Sequence, residues 1–256
     1  RGLGDVYKRQ VEAKRVKKWL FLLWSVSASV QAVVAEPVRL ASLDWPPYTG
    51  HQLEQQGETS ILLRQVFAAM QLEVQTEFLP WSRAIRASES SGASYAGYFP
   101  EYQTHNPSFI LSDSLGSSEL GFVESKAKPL GPLTAVLLPK FQLGVVQDYV
   151  NLTVVDQMIA RGQLTPQLAF SDRQNILKVA LGRLDLAVID RRVLLYLLEH
   201  DAEVKRFATD KVQFNSSLTE LKTLHLALRN EPEHKLLIEK FNQYLQKVKA
   251  DSIVNN

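Results

Sequence analysis

Cysteine is absent from all 256 residues. This excludes a disulfide framework, a thiolate zinc site, a cysteine nucleophile and a lipid-modified N-terminal cysteine. A strong charge of either sign is missing too, once the charges are placed along the chain. Seven of the 29 Lys/Arg and two of the 27 Asp/Glu fall in residues 1–35, so residues 36–256 carry 22 basic and 25 acidic side chains, a net charge near −3. Without a basic stripe to neutralise phosphates, nucleic acid is not an expected partner. There is no Gly-x-Ser-x-Gly, no His-Glu-x-x-His and no glycine-rich phosphate loop. The five histidines, at 51, 105, 200, 225 and 234, lack ligand spacing, so neither a metal nor a cofactor is implied. What is present is 45% hydrophobic and 22% charged residues, the balance of a globular protein that buries a core.

Lys14, Arg15, Lys17 and Lys18 precede an apolar block from Trp19 to Trp24, followed by small and apolar residues up to Ala35. A basic start, an apolar centre and a small-residue end are the parts of a secretory signal peptide. Cleavage is expected after Ala35, with Ala32 as the alternative, and the remainder is expected to be exported and soluble. The block is interrupted by Ser25, Ser27, Ser29 and Gln31 and falls short of a membrane span. Residues 1–10 are read as an extension without fold content.

From residue 36 strands alternate with helices. Val38–Leu43 reads as a strand, which Pro46 and Pro47 must end for want of amide donors. Ser60 is expected to cap a helix carrying Ile61, Leu62, Val66, Phe67 and Met70. A strand over 72–78, a helix from Pro80 to near Gly92 and a strand over 93–99 follow. The second half repeats the pattern: a strand over 141–146, a helix over 152–159 closed by Gly162, and a capping box at Ser171 and Gln174 ahead of a helix stopped by Gly182. A strand over 184–189 ends at Asp190, and a helix runs from Arg191 to Glu199. Leu224, Leu226 and Leu228 mark a late strand and Pro232 the first turn of a terminal helix. Two βαβ groups argue for two α/β lobes with mostly parallel sheets, and 125–140, with three prolines, reads as a crossing between them.

Several of these stretches, with the run Phe109–Val123, the run Gly182-Arg183-Leu184-Asp185-Leu186-Ala187-Val188-Ile189-Asp190 and the Asn-containing tail 233–249, together resemble the type II periplasmic solute-binding proteins of family 3, receptors for polar amino acids that serve ABC importers. Trp81-Ser82-Arg83-Ala84 resembles a divergent branch. The resemblance implies two lobes joined by a two-strand hinge, each a mostly parallel sheet flanked by helices, with a ligand trapped between them. Lobe 1 would comprise residues 36–122 and 222–256, and lobe 2 residues 123–221. The chain departs from the family where an arginine clamps the ligand carboxylate. Residues 98–106 hold no arginine, and Tyr95 stands where the strand's Asp is expected.

Asp44, Trp45 and Tyr48 follow the carboxyl end of the first strand, where open α/β sheets place ligands, and an aromatic beside a diproline offers a stacking face at low ordering cost. Trp81 is a candidate wall and Arg83 a candidate replacement for the missing clamp, since guanidinium pairs with carboxylate through two hydrogen bonds; each also fits a structural role. Tyr98 and Phe99 can line the cleft or the core. Gln147 and Tyr149, with Asp148, precede a helix whose amides could receive an anion. Asp190 either accepts from a ligand amine, as the resemblance implies, or caps the helix at Arg191. Asp185 is expected to partner Arg183.

The reading that follows is a monomeric, non-enzymatic periplasmic receptor for a small polar solute, delivering it to an ABC transporter permease. One alternative is a cyclohexadienyl-dehydratase-like lyase on the same fold, with Glu101 as general acid. Another is a soluble ligand-sensing partner of a membrane receptor.

Overall fold

The computed structural model describes residues 36–90 and 92–254; the leader read in residues 1–35 lies outside them. Among the described residues no helix is long and apolar enough to cross a membrane. In the first lobe, strands β1 (Val38–Ser42), β2 (Val74–Phe78) and β3 (Gly97–Tyr102) run parallel in the order β2-β1-β3. Helices α1 (Glu58–Ala69) and α2 (Trp81–Glu89) pack with them, as does the terminal helix α7 (Pro232–Val254). Phe67 of α1 meets Phe241 of α7 with ring centroids 5.4 Å apart.

In the second lobe, β6 (Leu143–Val146), β7 (Gln167–Ala169) and β8 (Leu186–Asp190) are parallel in the order β8-β6-β7. They are accompanied by α3 (Thr153–Ala160), α4 (Asp172–Ala180), α5 (Arg191–His200) and α6 (Ala202–Phe207). A short β4 (Phe109–Leu111) adds to the first lobe.

Two antiparallel strands connect the halves, β5 (Gly116–Ser125) and the 18-residue β9 (Val212–Arg229). They pair from Ser125↔Val212 to Gly116↔Leu224, with a register shift between Leu120 and Phe122; β9 also pairs with β3 and β4, and β5 with β8. At about 3.3 Å per residue β9 reaches about 60 Å, long enough to serve both lobes. The expected lobes, each a mostly parallel sheet flanked by helices, are found, and the antiparallel β5 and β9 hydrogen-bond the two sheets into one. The outer three strands of each lobe are parallel, every ladder that involves β5 or β9 is antiparallel, and one hydrogen-bonded path links every strand but β4, which joins through β9. Residues 125–140, read as a crossing, run from the end of β5 into its connection to β6 and include a 3-10 turn at Ala135–Lys140.

β8 shows why the second lobe has two faces. Leu186 and Val188 enter a core that continues from the first lobe across the junction, whereas Ala187 and Ile189 enter a second core with Ile176, Leu194 and Val204. Alternation along a strand buried on both sides produces this split.

Other local expectations shift. Helix α1 starts at Glu58, after Gly57, and Ser60 sits inside it as a buried hydroxyl without a hydrogen-bond partner. Leu63 rather than Ile61 fills that helix's core position. The third strand lies at 97–102 rather than 93–99. Asp185 accepts from the Gln142 backbone N–H at 2.8 Å, not from Arg183.

Candidate functional site

The segment after β1 is folded tightly on itself. The Trp45 N–H donates to Thr49 O at 2.8 Å, the Thr49 N–H returns to Trp45 O at 3.1 Å, and the Thr49 hydroxyl caps Leu43 O at 2.9 Å. The start of α1 then holds the loop, through Glu58 N–H to Pro47 O at 3.2 Å and Thr59 N–H to Tyr48 O at 2.9 Å. Gly57 makes this approach possible. Its φ is +96°, and a Cβ there would lie 2.6 Å from Tyr48 O. The result is a stacked pair, Trp45 on Tyr48, with centroids 4.5 Å apart and planes 22° apart.

Across the junction, Asp190 ends β8 and is 1% exposed. Its Oδ1 accepts the Val193 N–H at 2.8 Å and so caps α5. Its Oδ2 accepts from the Tyr48 hydroxyl at 3.0 Å and from the Ser118 hydroxyl at 2.6 Å. Ser118 also meets the Tyr102 hydroxyl at 2.6 Å. Burial pushes the Asp190 carboxyl above its ordinary range against these donors, and burial plus the Asp190 charge pushes the Tyr48 phenol up. Arg192 stands 5.0 Å over the Tyr48 ring and pairs with Glu58, tying α5 to α1.

Two further acids are buried in the same region. Asp172, at the start of α4, is 6% exposed; burial first and the Asp190 charge second raise it to about 7, against hydrogen bonding from its own N–H and from Trp45. Glu101 in β3 accepts the Tyr102 N–H at 2.7 Å and the Tyr98 hydroxyl at 3.1 Å, and burial raises it to about 7. No three acidic, histidine or cysteine side chains among the described residues converge on a metal position.

Space in the junction is divided. A cleft of about 540 Å³ at the mouth is walled by the loop carrying Asp44, Trp45 and His51 on one side, and by Asp172, Tyr196 and His200 on the other. A cavity of about 30 Å³ lies beside Glu101 and Trp81, and one of about 10 Å³ lies beside Asp190 and Tyr102. Trp45 and Tyr149 line all three, standing as partitions between them.

The structure brings together Trp45, Tyr48, Trp81, Tyr149 and Asp190 from among the residues singled out in the sequence. Trp81 contacts Tyr149 and Tyr98 edge-on, at 6.3 and 5.2 Å. Asp44 lies at the exposed rim, holding the His51 ring at 2.8 Å. Tyr98 is buried behind Trp81 and bonds Glu101; Phe99 is fully buried in β3. Gln147 is half-buried, its N–H bonded to Ala169 O, and Arg83 is exposed; neither lines a described cavity. Tyr95 precedes β3 and sits under Arg39, at 5.2 Å, away from the cavities.

Sequence reasoning missed Tyr102, Ser118 and Asp172. Moving the strand boundary from Phe99 to Tyr102 would have exposed the first. The other two give no local signal beyond Asp172 following the Ser171 cap, since β7, at three residues, is too short to read as a strand.

No family model matches the chain, and no curated protein matches it. Solved structures do. The chain is similar to a histidine kinase sensor domain with similarity to periplasmic binding proteins, with a TM-score of 0.71, 14% identity, and coverage of 85% of this chain and 92% of that one. It is similar to an ancestral arginine-binding protein bound to arginine, with a TM-score of 0.68, 16% identity, and coverage of 86% and 95%. It is also similar to the ancestral amino acid-binding protein AncCDT-1, a precursor of cyclohexadienyl dehydratase, with a TM-score of 0.65, 15% identity, and coverage of 84% and 90%. The fold is therefore that of the two-lobed type II periplasmic binding proteins.

Proposed function

We propose that this chain is a binding protein for a small polar solute, closing two lobes over it and releasing it to a membrane partner. Lobe 1 is residues 36–122 with 222–256, and lobe 2 is residues 123–221. The observation that carries this reading is the meeting of Tyr48 from one lobe with Asp190 from the other at the edge of a cleft lined by both. Only a ligand that touches both walls favours closure. The leader-like N-terminus supports export to the periplasm, and the similarity to amino acid-binding proteins supports a permease of the ABC type as the recipient. The similarity to a kinase sensor domain keeps a sensory membrane partner as the alternative recipient.

A screen of amino acids, polyamines and small organic acids by thermal shift, joined to native mass spectrometry of the purified protein, tests the reading. A ligand raises the melting temperature by mass action. Failure of every class to do so, with no mass carried by the protein, counts against it.

One observation favours a second reading. Glu101 is buried, raised to about 7 and beside a cavity, as a general acid would be. A lyase would lose turnover in Glu101→Gln while keeping affinity. A protein that binds a ligand and returns it unaltered is not that enzyme.

A further inference from the structure

We propose that the cleft selects an organic cation that lacks a carboxylate, an amine or guanidinium compound, and that Asp172 is its principal anchor. This rests on the solute-binding reading above and names its ligand class.

The walls of the cleft are acidic and aromatic. Asp172 is nine-tenths buried, lines both the mouth and the smallest cavity, and has no cationic partner among the described residues. The groups that interact with it are its own N–H, the Trp45 side chain, the like-charged Asp190 and the phenols of Tyr149 and Tyr102. Trp45, Tyr149 and Tyr196 give the cleft three aromatic rings. A buried carboxylate in a cleft lined by aromatic side chains is the arrangement that attracts ammonium or guanidinium by ion pairing and cation–π contact. A bare carboxylate in that place is costly until a cation joins it. Because the buried acids do not converge on one point, the site suits an extended organic cation better than a metal ion.

Among the described residues no lysine lines the cleft, and its one arginine is already paired. Arg173 lines it but is committed to Asp201 at 3.0 Å and to Glu203. Arg192 is paired with Glu58, and Arg83 lies outside. At the helix starts beside the cleft, the Val193 N–H is taken by Asp190, the Gln174 N–H by Ser171 at 3.4 Å, and the Glu203 and Val204 N–H groups by Asp201. His51 is held by Asp44, and His200 lies against Tyr196 O at 3.1 Å. A ligand carboxylate would meet Asp172 and Asp190 without compensation, a like-charge juxtaposition that works against binding.

Arginine and agmatine test this directly, because they share the guanidinium and chain and differ by the carboxylate. Titration calorimetry of the purified protein is expected to give agmatine an affinity roughly tenfold or more above that of arginine, and Asp172→Asn is expected to remove roughly tenfold or more of the agmatine affinity. Arginine or glutamate binding as tightly as agmatine overturns the cation assignment and leaves solute binding intact. Agmatine and 1,4-diaminobutane failing to bind while glutamate binds does the same. If none of these compounds binds and the broad screen is also blank, both readings fall. Agmatine binding that is unchanged in a folded Asp172→Asn overturns the anchor. The wild-type comparison of the two ligands needs no variant to fold.

Discussion

The Tyr48 hydroxyl donates to Asp190 Oδ2 over 3.0 Å, joining the loop after β1 to the end of β8, 142 residues away in sequence. Both partners are buried, so this bond closes the junction with the protein's own side chains. The same carboxylate caps α5 through its other oxygen. One carboxylate therefore caps a helix and joins two distant segments.

Removing that hydroxyl leaves Asp190 with Ser118 and Val193. Tyr48→Phe is expected to cost about 1 kcal/mol, a fall of about 2–4 °C in melting temperature, and to increase the radius of gyration of the ligand-free protein in X-ray scattering. An unchanged scattering curve and melting temperature would show that this bond does not hold the lobes together.

Asp190→Ala strips a helix cap and the acceptor of two hydroxyls at once, so its effect is not confined to binding. A loss of about 2 kcal/mol is expected by calorimetry. Asp190→Asn retains an oxygen for Val193 and can donate to the hydroxyls of Tyr48 or Ser118, and its melting temperature should stay closer to the wild type. Equal losses in the two variants would contradict the capping role.

Stability should depend on pH through Asp172 and Glu101. Both carboxyls have folded values raised to about 7 from ordinary values near 4. In that interval the folded protein binds more protons than the unfolded chain, so stability is greatest at the acid end for these groups. It declines as pH rises from about 4 to about 7, by an amount on the order of a few kcal/mol for each group. Asp172→Asn and Glu101→Gln should therefore gain melting temperature over the wild type at pH 8 and little at pH 5. A gain of the same size at both pH values would be incompatible with this burial effect.

Gly57→Ala places a methyl against Tyr48 O and demands a positive φ from alanine. The loop that stacks Trp45 on Tyr48 must then move, at a cost above 1 kcal/mol. The measurement is the urea midpoint together with Trp fluorescence. A variant with wild-type values in both would mean that Gly57 does not set this loop.

Arg83→Ala tests the arginine proposed from sequence as a carboxylate clamp. The side chain is exposed and lines no described cavity, so stability should change by less than about 0.5 kcal/mol and ligand affinity should be unaffected in titration. A clear loss of affinity would bring Arg83 back into the site.

The alternating elements, the Ser171 cap, the stop at Gly182, the strand ending at Asp190 and the turn imposed by Pro46 and Pro47 were readable locally, because caps, turns and side-chain periodicity depend on residues only a few positions apart. The length of β9 was not, since its polar first half, Gln213 to Lys222, has no apolar alternation and is a strand only because β5 pairs with it. Asp172 and Ser118 looked like ordinary polar residues for the same reason. The amino acid sequence by itself determined the two α/β halves and the aromatic pair beside the diproline. Tertiary structure alone decided that Tyr48 and Ser118 meet Asp190, that Arg83 stays outside and that Asp172 is buried without a cation, because burial and long-range pairing set the solvation of a charge and leave no trace in the residues beside it.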